Sequence, residues 1–152
     1  MTGDNVYAME TPSEGRAVLR FSSGNGAVRG ILRDVAAFLA LQGLPSDKVE
    51  DATIALAEAL NNIEEHAYGG RSGLPVLVDL EASALCLRCR IEDRGTPLPG
   101  DTLPGGSLPA TDPVAHEKWP EGGFGWALLR RLTDDLTYHR RGGWNRLCFT
   151  IS

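Results

Sequence analysis

Residues 45–70 read PSDKVEDATIALAEALNNIEEHAYGG, the stretch on which the fold prediction rests. Asp47 and Glu50 have the spacing of a capping box, a signal that begins helices. Gly69 and Gly70 end the pattern. Between these signals, apolar residues recur every three or four positions on one face, at Val49, Ala52, Leu56, Leu60, Ile63 and Ala67. The stretch therefore predicts one long amphipathic helix.

Shorter elements flank this helix on both sides. Before it, the sequence predicts a strand over 17–21 and a helix over 28–39. After it come strands over 76–81 and 84–92 joined by a turn at Ala82-Ser83, a helix marked by Leu128, Leu129 and Leu132, and a hairpin of 136–140 with 146–151 around Gly142-Gly143. Strands that arrive as hairpins, with helices between them, predict a two-layer α+β sandwich. Its helices would cover one face of a mixed, mostly antiparallel sheet.

The chain has 152 residues, which is enough for one domain that buries roughly two-thirds of its unfolded surface. Residues 1–16 show little periodicity and are predicted to be a partly ordered lead-in to a domain over 17–152. Glycine and proline are concentrated between about 95 and 125, a stretch too long for an ordinary connection. A functional loop, such as a lid, is the expected role of that stretch.

Charge and composition exclude several classes of protein. A net charge of -5 argues against a chain whose main role is to neutralise nucleic-acid phosphates. No apolar run is long enough to span a membrane, and the N-terminus lacks the pattern of a signal peptide. The three cysteines give no disulfide framework, which fits a reducing compartment. We therefore expect a cytoplasmic protein without direct nucleic-acid or membrane binding.

A polar stripe interrupts the apolar surface of the long helix. Glu58, Asn62 and His66 are spaced by four residues and so share one face, distinct from that of Leu56 and Leu60. Glu58 is the only charged side chain between 52 and 60, and an isolated carboxylate of this kind is either beside a cleft or costly to bury. The stripe is a site or a solvated helix face, and the spacing alone leaves both open. For His66, a helix-cap or core role is favoured over a catalytic one.

Two glycine-containing motifs lie further along the chain. Asp93 falls on the same face of its predicted strand as the apolar residues and is followed by Gly95 and Pro97. An acidic side chain at this position is suited to accept a hydrogen bond from an amino group. Gly122-Gly123-Phe124-Gly125 leads into a helix, where backbone N–H groups can face a phosphate. Each motif alone is weak, because turns and hinges give the same patterns.

Taken together, these three motifs resemble one superfamily. Glu58-x-x-x-Asn62, Asp93-x-Gly95-x-Pro97 and Gly123-x-Gly125 are similar to the N, G1 and G2 boxes of the GHKL-type (histidine-kinase-like) ATPases. Within that superfamily, residues 58–68 and 122–134 resemble those of the bacterial anti-sigma-factor serine/threonine kinases. The resemblance covers roughly residues 15–151.

The resemblance implies a role for each matched position. Asn62 would bind a Mg²⁺ that bridges the ATP phosphates, and Asp93 would bind the adenine amino group, with Gly95 allowing close approach. Glu58 would be the general base that takes the proton from a substrate hydroxyl. The remaining matched residues are assigned to nucleotide binding through the boxes and the lid: Pro97, Gly122, Gly123, Phe124 and Gly125. Lys118 is the candidate for a lid contact to the γ-phosphate.

The resemblance also implies a function and partners. The chain would be an anti-sigma factor that sequesters an RNA polymerase sigma factor and phosphorylates an anti-anti-sigma antagonist on serine or threonine. A homodimer is compatible with the family and with the apolar first helix. The alternative is a nucleotide-gated partner-binding module without phosphotransfer. The ATP-binding half of a histidine kinase is less favoured, since the predicted lead-in has no room for a helical hairpin carrying a phospho-accepting histidine.

Overall fold

A six-stranded sheet with helices on one face forms the part of the chain that the computed structural model describes, residues 6–104 and 123–152; for 123 and 124 only the backbone is described. The strands are β1 (Tyr7–Ser13), β2 (Arg16–Ser22), β3 (Pro75–Ala82), β4 (Leu87–Asp93), β5 (Asp134–Arg141) and β6 (Trp144–Ile151). The α-helices are α1 (Val28–Leu41), α2 (Ser46–Asn62) and α3 (Gly123–Leu132). A π-helix over Ile63–Ala67 continues α2, and a 3-10 turn lies at Pro99–Asp101.

The strand order is β1-β2-β3-β4-β6-β5, and every described pairing is antiparallel. This confirms the predicted two-layer α+β class. The predicted hairpin at the end of the chain is also present, and both turn residues, Gly142 and Gly143, have a positive φ as the tight turn requires.

Residues on the inner face of the sheet form rows that cross neighbouring strands. One row is entirely apolar and runs through Leu19, Val78, Ile91 and Leu147. The next row begins with apolar Phe21 and Val76 but continues as Asp93, Asn145 and Arg140. The sheet therefore brings polar groups from β4, β5 and β6 together at one end of an otherwise apolar face.

The helices bury the apolar rows of the sheet in one core. α1 contributes Ile31, Val35, Phe38 and Leu39, and α2 contributes Ala52, Ala55, Leu56, Ala59 and Leu60, all of them buried. Trp126 and Leu129 of α3 join the same cluster, because α3 packs against α2. Burying these faces against the sheet supplies most of the driving force for the fold. None of the described helices is both long and apolar enough to cross a membrane.

Two expectations about local structure were wrong. Residues 7–13, placed in a partly ordered lead-in, form the edge strand β1, with Tyr7 and Met9 facing inward opposite Phe21 and Leu19. Two half-buried positions give too short an alternation to predict a strand. The β3–β4 turn covers 83–86 instead of Ala82-Ser83, because the Ser83 hydroxyl accepts hydrogen bonds from the N–H groups of Leu85 and Cys86. Leu85, which falls in the strand predicted over 84–92, therefore lies in this turn and is exposed.

The helical turn after Asn62 is wider than predicted. The Tyr68 N–H donates to the carbonyl of Ile63, five residues back, so the end of the long helix is a π-helix. Tyr68 is fully buried, and its hydroxyl bridges the Pro75 carbonyl and the Arg94 N–H. The π-helix is thereby attached to the start of β3 and to the residue after β4.

Candidate functional site

A cavity of about 380 Å³ lies where the π-helix and α2 face the polar end of the sheet. Its size and largely apolar wall are typical of sites for small molecules. The residues around it come from four regions of the chain: Ala59, Asn62, Ile63, His66 and Ala67; Asp93, Thr96, Pro97, Leu98, Pro99 and Pro104; Trp126; and Tyr138, Asn145 and Leu147. Of the residues that the sequence predicted to be functional, Asn62, Asp93 and Pro97 lie in this wall.

Asp93 is the last residue of β4, on the inner face, and only 5% of it is exposed. Its Oδ1 accepts two hydrogen bonds of 2.8 Å, from the Gly95 N–H and from Nδ2 of Asn145. Burial raises the pKa of the Asp93 carboxyl, and these hydrogen bonds together with the charge of Arg140 oppose the rise. Both described hydrogen bonds use Oδ1, so Oδ2 remains to accept a hydrogen bond from a ligand.

Gly95 lies directly against the backbone of the π-helix. A β-carbon at this position would overlap the carbonyl oxygen of Ala67 and would be 2.8 Å from the Ala67 β-carbon. The adjacent Thr96 N–H donates to the same carbonyl at 2.7 Å. Glycine is thus required here because the backbone at residue 95 approaches the π-helix of the protein itself. This contact holds the segment after β4 against the helix that carries Asn62.

The two adjacent asparagines at the end of α2 have different surroundings. Asn61 is exposed, whereas Asn62 is 9% exposed and lines the cavity. Nδ2 of Asn62 is buried and has no hydrogen-bond partner among the described residues. A buried amide without a partner is unfavourable by about 1–3 kcal/mol, and such groups in native proteins call for an explanation. A ligand in the cavity is one.

Glu58 is partly exposed and lies one helical turn before Asn62. A β-carbon on Gly125 would be 2.7 Å from Oε2 of Glu58 and 3.7 Å from Oδ1 and Nδ2 of Asn62. Gly125 is buried in the first turn of α3, where backbone N–H groups lack helical partners and the helix dipole is positive. The structure therefore brings Glu58, Asn62 and Gly125 together at one point beside the cavity.

The remaining residues predicted for nucleotide binding lie outside the described part of the chain or at its edge. Lys118 and Gly122 lie outside the described residues, and Gly123 and Phe124 are described only as the first two residues of α3. His66, on the π-helix, lines the cavity with a half-exposed side chain. No group of three or more His, Cys, Asp or Glu side chains suited to a metal occurs in 6–104 and 123–152.

Sequence reasoning missed Asn145, which is 3% exposed and joins four partners. Its Oδ1 accepts hydrogen bonds from the Tyr138 hydroxyl and from Nη1 of Arg140, both at 2.7 Å. Its Nδ2 donates to Asp93 at 2.8 Å and to the Gly95 carbonyl at 3.1 Å. Part of the signal was available, because Asn145 is a polar residue on the buried face of β6, the feature that identified Asp93, but it precedes the strand predicted over 146–151.

Comparison with known proteins gives a family and distant relatives. Residues 21–151 match the family described as "Histidine kinase-like ATPase domain". The chain is 28% identical over 102 residues to the serine-protein kinase RsbW of Staphylococcus aureus (strain bovine RF122 / ET3-1), and 27% identical over 101 residues to that of Oceanobacillus iheyensis. Each match covers 66% of this chain but only 64% of the relative's own length.

Proposed function

Because this chain belongs to the histidine kinase-like ATPase domain family, we propose that it binds Mg-ATP and transfers the γ-phosphate to a serine or threonine hydroxyl of a protein partner. By the same proposal the phosphate acceptor is an anti-anti-sigma antagonist, and the unphosphorylated antagonist competes with a sigma factor for this chain. The observation that carries the proposal is the convergence of Glu58, Asn62 and Gly125 beside a cavity that contains Asp93.

The cavity and the nearby start of α3 support the binding of a nucleotide. Oδ2 of Asp93 is suited to accept a hydrogen bond from the adenine amino group, with Leu98, Leu147 and other apolar residues around the ring. The first turn of α3 would face the phosphates, where a positive helix end and the lack of a side chain at Gly125 favour an anion.

The surroundings of Asn62 fit a magnesium ion bound together with phosphate. Its Oδ1 is a hard oxygen ligand of the kind Mg²⁺ prefers, and Mg²⁺ is typically held by one or two protein ligands plus substrate phosphates. The unpartnered Nδ2 would donate to a phosphate oxygen. When bound, the ion would neutralise phosphate charge during transfer.

Glu58 would act on the acceptor hydroxyl. Residues four apart on a helix have β-carbons about 5–6 Å from each other, so its carboxylate would be close to a phosphate held at Asn62. A partly exposed carboxylate there can take the hydroxyl proton of an approaching serine or threonine. The name of the two relatives, serine-protein kinase, supports this type of acceptor.

The partner assignment is supported by the motifs around Glu58 and Gly125. Phosphorylation adds nearly two negative charges and three acceptor oxygens to the antagonist. That change would weaken the hold of the antagonist on this chain and leave the chain free to bind the sigma factor.

Transfer of labelled γ-phosphate from Mg-ATP to candidate anti-anti-sigma proteins tests the proposal. The native chain should give acid-stable phosphoserine or phosphothreonine, and Glu58→Gln should lower the rate at least about 100-fold while Mg-ATP still binds. Glu50→Gln is the matched control, since Glu50 is an exposed residue near the other end of α2. Binding of Mg-ATP without any transfer would favour the partner-binding module, and acid-labile label would indicate histidine kinase chemistry.

A further inference from the structure

A network of hydrogen bonds in the wall of the cavity connects Asp93 to three residues that have no role in the function proposed above. The Leu98 N–H donates to the Tyr138 hydroxyl at 3.1 Å, and that hydroxyl donates to Oδ1 of Asn145 at 2.7 Å. Arg140 also donates to Oδ1 of Asn145, and Nδ2 of Asn145 donates to Asp93. The network thus runs from the segment that lines the cavity to the carboxylate that faces it.

The direction of every hydrogen bond around Asn145 is fixed. An arginine guanidinium only donates, so the atom of Asn145 that faces Arg140 must be the oxygen. The carbonyl of Gly95 only accepts, so the atom that faces it must be the nitrogen. The amide of Asn145 therefore has one orientation, in which it presents an N–H to Oδ1 of Asp93.

This orientation decides what Asp93 presents to the cavity. Oδ1 already receives N–H groups from Gly95 and Asn145, which leaves no room there for a proton. The two donors also stabilise the ionised carboxylate against its burial. Asp93 lines the cavity, so Oδ2 is the atom left to act as a hydrogen-bond acceptor for a ligand, which matches an amino group and disfavours a carbonyl oxygen.

We propose that Asn145 is a positioning residue that determines base specificity: held by Tyr138 and Arg140, it keeps Asp93 an acceptor and makes the cavity select an aminopurine over a 6-oxopurine. The inference rests on the proposed nucleotide site. Adenine offers an amino group at its 6-position, whereas hypoxanthine and guanine offer an oxygen that would face Oδ2 of Asp93 with lone pairs on both sides.

Removing the amide should change the specificity of the site. Asn145→Leu keeps a similar shape but takes one donor from Oδ1, so burial raises the pKa of Asp93 further and a larger share of it carries a proton on Oδ2. A protonated Oδ2 donates and tolerates a 6-oxo group. The charged and titratable groups around Asp93 are Arg140 and Tyr138 from β5, Tyr68 after the π-helix, Arg94 next to it in the chain, and His66 across the cavity.

The experiment compares dissociation constants of ADP and inosine 5′-diphosphate, with Mg²⁺, for the full chain and its variants between pH 5.5 and 8.5. For the native chain we expect ADP to bind roughly 10- to 100-fold more tightly. Asn145→Leu should reduce this ratio severalfold at the acid end of this pH range, and the ratio should recover as the pH rises. Equal weakening of both nucleotides would mean that Asn145 only supports the fold, and would overturn the inference.

A second variant covers the case in which Asn145→Leu does not fold. Tyr138→Phe removes one of the two donors that orient the amide, and it should lower the ratio about threefold with circular dichroism unchanged. An unchanged ratio in this variant would overturn the inference. If the native chain bound neither nucleotide, the proposed nucleotide site itself would fail, whereas ADP binding with an unaltered ratio in the variants would refute the role of Asn145 alone.

Discussion

Oε2 of Glu58 lies 2.7 Å from the position that a β-carbon would occupy on Gly125. The carboxylate proposed as the general base and the first turn of α3 are therefore in direct contact, with no space for a side chain between them. Glycine at 125 does more than expose backbone N–H groups, since it also leaves the room in which the Glu58 carboxylate is placed. The nucleotide and the acceptor would meet at this contact.

Gly125→Ala should separate catalysis from stability. The new methyl group meets the end of a flexible side chain, so Glu58 can rotate away, and alanine favours a helix over glycine by about 1 kcal/mol. Unfolding by urea should show unchanged or slightly increased stability. A carboxylate displaced by about 1 Å should lower the transfer rate roughly 100-fold.

The double variant Glu58→Ala with Gly125→Ala provides the control. Once the carboxylate is absent, the alanine at 125 has nothing to displace, so its effect on the free energy of unfolding should be that of helix propensity alone. A loss of 2 kcal/mol or more from Gly125→Ala in the native background would show that Glu58 is rigidly held, contrary to this prediction.

Asn62 and Asn61 offer a matched pair for testing the magnesium site. Asn62→Ala should make ADP affinity insensitive to Mg²⁺, whereas Mg²⁺ should strengthen ADP binding about tenfold in the native chain and in Asn61→Ala. Because Asn62→Ala also removes a buried Nδ2 that has no partner among the described residues, its stability should change by less than about 1 kcal/mol. Calorimetric titration with Mg²⁺ and with a chelator measures both affinities. Equal behaviour of the two variants would exclude the assignment.

The sequence predicts those parts of the fold that depend on periodicity. The apolar spacing along 49–67 and the alternation around Ile91 reflect burial on one face, so the helices and inner strands follow from it. β1 has only Tyr7 and Met9 facing the core, and the π-helix depends on contacts of Tyr68 with β3 and with the residue after β4, which no local pattern records.

The residues of the site also differ in whether a local sequence pattern predicts them. Asp93 was predicted because a polar residue on the buried face of a strand is visible in the sequence, and Asn145 has the same signature on β6. Asn62 was predicted from its four-residue spacing to Glu58 and from the family resemblance. What the sequence could not predict is which polar groups meet. The row that joins Asp93, Asn145 and Arg140 depends on β6 lying between β4 and β5, a strand order set by the packing of the whole sheet.

Gly95→Ala should destabilise the chain, in contrast with Gly125→Ala. The added β-carbon would meet the backbone carbonyl of Ala67, which cannot rotate away and which accepts the Thr96 N–H. We expect the free energy of unfolding to fall by about 1–3 kcal/mol, as in other overpacked sites, together with weaker ADP binding. Thr96→Ala is the control, since it alters an exposed side chain and keeps the backbone hydrogen bond. Similar stabilities for the two variants would contradict the argument.

Asp93 should give two pH effects of opposite sign. Its pKa is raised by burial, so the folded chain holds the proton more tightly than the unfolded chain, whose carboxyl titrates near 3.9. Without nucleotide, the contribution of Asp93 to stability should therefore fall as the pH rises from about 4 through the raised pKa. ADP affinity should rise over the same interval, because only the ionised Oδ2 accepts the amino group. Asp93→Asn should abolish both trends, as urea unfolding and ADP titration at matched pH can measure, and parallel trends in stability and affinity would disprove the assignment of Asp93 to the base.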